Sequence, residues 1–240
     1  MFDLKPDFQE RLHEIEVYLD FLDSVNSHIQ SGLIGQDESH LKIDPNHQKI
    51  LHSSVYLQLY SLVESTVVQC LGALSRAIEN QNVKPNQLSE ALRKEWIRIT
   101  AQTDKDLSYT NRFKYATELY ELTSSSASIS ASKFDLIKHK AGGNWDDKKI
   151  YKLSQRLGII LSIDEETQRS IKIPIKNEMG PLVLIRKLRN DLAHGKISFV
   201  ECSENTSVND LRDLTNKISR YLLQVVISFE NFINNEEFLR

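Results

Sequence analysis

The stretch from Ser53 to Ser75 reads SSVYLQLYSLVESTVVQCLGALS, apolar for most of its length and free of glycine and proline until Gly72. A run of this kind has two outlets, a bilayer or a shell of other helices packed around it. Gln58, Glu64 and Gln69 interrupt it and its flanks lack an anchoring pattern, so the reading is a buried core helix and no membrane span. A buried helix needs amphipathic partners, and the rest of the chain can supply them. Only 8 glycines and 5 prolines break 240 residues, and 40% of the residues are hydrophobic against 26% charged. That balance excludes wholesale disorder and favours an all-α class over a sandwich or barrel.

Periodicity places the partners. A first helix is expected from about Pro6 to Ile29, with Leu12, Ile15, Tyr18, Leu19 and Leu22 as its stripe. The apolar helix covers roughly 48–80. A third begins near Pro85 and includes Leu88, Leu92 and Trp96, and a shorter one covers 112–122. LTSSSASISASKF reads as a loop or irregular edge, so an inserted or mobile segment is expected at about 123–145 within a single domain over 1–240. Asp146 or Asn144 caps the helix KKIYKLSQRLGI. A turn-rich insert leads to Pro181 and the helix PLVLIRKLRNDLAH, with Gly195 suited to a left-handed C-cap. KISFVECSENTS alternates weakly and is expected as a short strand or extended loop. The last helix runs from about Val208 to Asn234, its Leu211, Leu214, Ile218, Leu222, Val225, Phe229 and Phe232 forming a near-heptad stripe for a bundle or a partner helix.

Several chemistries lack their residues. Cys70 and Cys202 form no CxxC pair, which rules out a cysteine-rich zinc site and a disulfide framework. His47 and His52 are five apart, unsuited to a metal pair on one helix face. Nucleophile and phosphate-loop motifs are absent, so neither metal nor cofactor is expected. MFDLKPDFQERL shows no secretory leader pattern, and a reducing cytoplasm is the expected compartment. Net charge is −3, yet residues 133–196 carry 14 Lys and Arg against 8 Asp and Glu, a local +6 that leaves −9 elsewhere. A basic surface on a mildly acidic protein fits a polyanion bound at one place; a mixed solvated surface is the ordinary alternative.

That basic stretch ends in RNDLAHG, residues 189–195. On a helix at about 100° per residue, Ile185, Leu188 and Leu192 face inward, and Arg186, Asn190 and His194 form a second, polar stripe. Arg189 lies at the border, about 140° from His194. These side chains suit RNA cleavage without metal. A 2′-hydroxyl attacks the adjacent phosphorus, a histidine serves as base or acid, and an arginine grips two oxygens of the charged transition state. Asn190 can hold the imidazole or contact the ribose. The ordinary alternative is a solvated last turn with a cationic residue near its carbonyl end. Glu64 is a second candidate, because a lone carboxylate on an apolar helix needs a partner and Arg189 or His194 would serve. Alternatively it lies on a solvated edge with Gln58, Ser61 and Ser65.

Arg189-Asn190-Asp191-Leu192-Ala193-His194 resembles the signature of the HEPN superfamily, and in particular its bacterial HEPN-like nucleases. FQERLHEIEVYLDFL, LYSLVEST, GNWDDKKIYKLSQRLGI and HGKISF extend the likeness over most of the chain. The resemblance implies a HEPN-like helical bundle with a short irregular or β insert. It implies a metal-independent endoribonuclease, usually dimeric and often a toxin or defence effector, with RNA as substrate and a cognate antitoxin or other defence protein as partner. Arg189, Asn190 and His194 would be catalytic, with Glu64, Arg186 and Asp191 in support. A non-catalytic interaction or regulatory subunit of the same fold is the competing reading, and a nucleotide-binding protein without cleavage a third. The 140° separation leads to a further expectation. A homodimer whose two-fold axis lies beside the helix end would bring two copies of the motif to one groove, with the stripe of the terminal helix a candidate contact.

Overall fold

The computed structural model describes residues 2–30, 43–101, 108–124, 136 and 143–240. Among these residues it contains nine α-helices and no strand. The long apolar run forms the centre of α2 (Pro45–Asn80), which starts at an Asp44 cap whose carboxylate accepts from the backbone N–H of Asn46 and His47. α1 (Lys5–Gln30), α7 (Pro181–Ala193), α8 (Phe199–Cys202) and α9 (Val208–Asn234) pack around α2. No helix among the described residues is long and apolar enough to cross a membrane. Val55, Leu59, Val63, Leu71 and Leu74 of α2 are all but inaccessible, as the reading of a core helix requires.

The stripe of α9 completes this core. Leu211, Leu214, Ile218, Leu222, Val225, Phe229 and Phe232 are all buried within the chain. They are therefore not available to a partner copy, and the expected dimer contact through that stripe is corrected. The apolar residues left exposed on the α1–α2 side are instead Val17, Phe21 and Ile50.

Other departures have local causes. Pro85 opens a single 3-10 turn, Pro85–Gln87, and α3 begins only at Glu90 (Glu90–Thr100). Between them Leu88 bridges to Leu239, and Ser89 N–H donates to the Phe238 carbonyl, so the C-terminus occupies the place of a longer helix start. α4 spans Tyr109–Ser124. The turn-rich insert after α5 (Asp147–Leu157) holds a short helix, α6 (Glu165–Ser170), capped by Asp164. The expected strand or extended loop at 196–207 is α8, because Ser198 and Glu201 form a capping box around its first turn. Most of the segment at 123–145 lies outside the described residues; its end, from Gly143, is an irregular lead into α5.

Candidate active site

α7 carries the motif, and its ends explain its register. Gly180 adopts an extended conformation before Pro181, the first helical residue. A Cβ on Gly180 would stand 2.7 Å from the Ile171 carbonyl oxygen, so only glycine lets the helix start this close to the preceding turn. At the other end His194 is the cap residue and Gly195 turns left-handed at φ +64. Gly195 N–H bonds to the Leu192 carbonyl and Lys196 N–H to that of Asp191, a Schellman closure. Ile185 and Leu188 are buried and Leu192 packs against the core, which fixes the rotation of the remaining side chains.

Arg186, first in the polar stripe, pairs with the buried carboxylate of Asp146. Asp146 is also the α5 N-cap, accepting from Lys149 N–H at 2.8 Å. Of the two cap candidates, Asp146 does the capping, and Arg186 locks α7 to α5. Asn144 has another role. It stands at φ +68, a conformation asparagine tolerates, and its Oδ1 accepts from Asn190 Nδ2 at 2.7 Å. Asn190 Oδ1 in turn accepts from Arg189 at 2.9 Å. The amide therefore holds the guanidinium, not the imidazole.

Tyr60 of α2 completes this arrangement, and the sequence reading missed it. Its ring lies under Arg189, with the guanidinium carbon 4.9 Å from the ring centre. Its hydroxyl accepts from the backbone N–H of Asn144 at 2.7 Å and of Trp145 at 3.2 Å. Burial pushes the phenol above its ordinary value and the Glu64 carboxylate adds to this, while the two N–H donors and the Arg189 charge pull the other way. Glu64 sits one turn along α2 from Tyr60 and is half-buried, neither sealed in the core nor on an open edge. A Cβ on Gly143 would come within 3.2 Å of its Oε1. The spacing of four between Tyr60 and Glu64 was the available signal, since it puts both on one helix face.

His194 is exposed, and among the described residues no hydrogen bond joins it to Arg189. Asp191 bonds to Lys187 at 2.5 Å and lies 4.0 Å from Lys196. Lys187 above all, with Lys196 and His194, holds its carboxyl below the usual range. An open groove of ≈ 430 Å³ runs along this face of α7, lined by Arg186, Asn190, Asp191, Lys149, Lys187 and Lys196 among others. Four of those six are cations, which suits a polyanion.

A model of the MAE_28990-like HEPN domain matches residues 3–238 of the chain. The chain belongs to this HEPN family. No curated protein and no solved structure matches it. The family accounts for the all-helical bundle; the stretch from Arg189 to His194 lies at the end of α7, whose Arg186, Asn190 and Asp191 line the groove.

Proposed function

We propose that this HEPN protein is a metal-independent endoribonuclease acting in the cytoplasm, as a toxin or defence effector. The observation that carries the reading is the fixed Arg189. It is aimed by Asn190 and Tyr60, with the rest of its N–H fork unoccupied among the described residues; Asn190, which holds it, lines a basic groove, and His194 is exposed at the end of the same helix. Arg189 grips the oxygens of the phosphate at the scissile bond. An imidazole takes the 2′-hydroxyl proton as that oxygen attacks phosphorus, and the leaving 5′-oxygen is protonated as its bond to phosphorus breaks. The products are a 2′,3′-cyclic phosphate and a 5′-hydroxyl. Neutral His194 can act as the base and protonated His194 as the acid, so two copies divide the work in one step.

Because no hydrogen bond joins Arg189 to His194 within one chain, the active form is a homodimer with a composite groove. Light scattering is expected at about twice the 27.7 kDa chain mass. Full activity from a strict monomer would refute the composite site. The reading as a whole is tested by incubating purified protein with mixed RNAs in EDTA and analysing the new ends. Cyclic phosphate ends support it, and strict magnesium dependence with 3′-hydroxyl ends refutes it. One observation favours a second reading, a non-catalytic subunit: the stacking of Arg189 on Tyr60 would also serve a purely structural arginine. Unchanged RNA in that assay, at micromolar protein, would decide for it.

A further inference from the structure

The first turn of α5 faces two cavities. Lys149 lines the motif groove, and Asp147 and Lys148 line a second cavity of ≈ 510 Å³. Its apolar wall is Leu161, Ile163 and Ile171. Tyr151 flanks it, half exposed, its hydroxyl held by Gln155 Nε2 at 2.7 Å. Tyr221 of α9 reaches it from the core. That residue is only 5% exposed, and its hydroxyl has no hydrogen-bond partner among the described residues. The ring is packed in the core, and the hydroxyl is open at the cavity wall, where it can donate to a ligand. Asp147 makes no ion pair among the described residues; burial above all, with Asp146, raises its carboxyl above the ordinary value, against the first-turn N–H groups and Lys148, which pull it down. Lys148 and Lys172 are the cations lining the cavity.

We propose that this cavity binds a guanine nucleotide unit, with Asp147 accepting from the base edge and Lys148 and Lys172 meeting phosphate. An ionised carboxylate only accepts, with two oxygens side by side. Among the four RNA bases, guanine alone offers two adjacent donors, its ring N1–H and exocyclic N2–H. Adenine and cytosine pair one amino donor with an acceptor nitrogen, and uracil sets one donor between two carbonyls. The Tyr221 hydroxyl and the Gln168 amide are donors for the guanine carbonyl, and the Tyr151 ring offers a stacking face. A cationic peptide would meet two lysines, and an acyl chain would leave Asp147 and Tyr221 unmatched.

Two sources could supply this unit, an RNA chain lying in the motif groove or a free nucleotide. The first rests on the ribonuclease reading. The connection between the cavities favours it: Ile171 and Lys172 line the second cavity, Met179 lines the groove, and Gly180 packs on the Ile171 carbonyl between them.

The test titrates 5′-GMP, AMP, CMP and UMP into the full-length His194→Ala chain by calorimetry, then a decanucleotide with one guanosine and its inosine counterpart. GMP is expected to bind about tenfold or more tightly than the other nucleotides, the discrimination of one bidentate edge contact. Inosine, which lacks the N2 amino group, and Asp147→Asn should each erase most of that preference. If Asp147→Asn does not fold by circular dichroism, inosine on the unaltered cavity and Lys172→Ala, which should weaken GMP but not guanosine, carry the same decision. Guanosine RNA binding more tightly than GMP, with wild type cutting beside guanosine in EDTA, identifies the RNA source. GMP binding without RNA binding or cleavage identifies a free nucleotide and overturns the ribonuclease reading alone. Equal binding of GMP and AMP overturns the cavity proposal alone, and GMP-selective binding beside cleavage with no guanine preference identifies a free nucleotide and leaves the ribonuclease reading standing.

Discussion

Replacing Tyr60 by Phe removes one oxygen and leaves the ring under Arg189. That oxygen accepts from two backbone donors, Asn144 N–H and Trp145 N–H. Trp145 is buried, so its amide loses its partner without access to water, at about 1–3 kcal/mol. Asn144 is exposed and its amide turns to solvent at little further cost. For a chain of this size each kcal/mol lowers the melting temperature by roughly 2–4 °C. The chemical effect is separate. Asn144 loses its anchor to α2, so the Asn144–Asn190–Arg189 relay loosens and the guanidinium is less well aimed. Misplacement on the scale of an ångström costs up to about a hundredfold in rate, and cleavage is expected to fall by between about ten- and a hundredfold. Thermal unfolding and single-turnover cleavage of RNA in EDTA read the two effects independently. Lower stability with unchanged cleavage would show that Tyr60 only supports the fold. No change in either would refute the argument that its hydroxyl holds the entry to α5.

Arg189→Ala and His194→Ala are each expected to abolish measurable cleavage, Arg189→Ala by about 100- to 1000-fold if it acts like one lost oxyanion donor. His194→Ala should leave the melting temperature unaltered, because the side chain is exposed. Arg186→Ala strands the Asp146 carboxylate, whose side chain is 7% exposed, and should destabilise by about 3 kcal/mol, read in a denaturant melt; Asp146→Asn in the same chain should recover part of the loss. His52 supplies a pH dependence. Its Nδ1 bonds to the Thr206 carbonyl, its Nε2 is buried with no partner among the described residues, and burial lowers its pKa below the ordinary 6.5. The unfolded chain then takes up the proton first, so this contribution is intact above about pH 6.5 and is lost as pH falls through the lower folded value. His52→Gln should flatten the decline in melting temperature between about pH 6.5 and 5, and an unchanged slope would remove His52 as its source.

The elements legible in the sequence were those whose signals are local. α2, α7 and α9 follow from apolar spacing, and Gly195 from its place after the last periodic residue. What was not legible depends on distant partners. The weak alternation of KISFVEC gives way to α8 because Ser198 and Glu201 cap it and the Phe199 carbonyl accepts from Ser53 on α2. Tyr60 reads as one more core aromatic of α2, since nothing near it in sequence shows that its hydroxyl meets a backbone 84 residues away. The α9 stripe has the spacing of a partner helix and of a core helix alike; the packing of α1, α2 and α7 over it decides for the core.

The polar stripe of α7 shows how one spacing becomes several roles. Arg186, Asn190 and His194 are equivalent on a helical wheel, but α7 leaves the bundle as it runs, so their surroundings change turn by turn. Arg186 meets Asp146, the residue that caps α5, and its charge is consumed there. Asn190, one turn on, is half-buried and spans the gap, with one end of its amide on Asn144 and the other on Arg189. His194 is the cap residue, where Gly195 and Lys196 close the carbonyls of Leu192 and Asp191, and it is exposed. Arg189, off the stripe, turns back towards α2 and is fixed there by Tyr60. The rigid charge and the exposed imidazole thus come from the same two turns but from different faces. On the proposed reading, a phosphate held by Arg189 in one chain would therefore meet the histidine of a second chain, which is why monomeric activity is the decisive measurement.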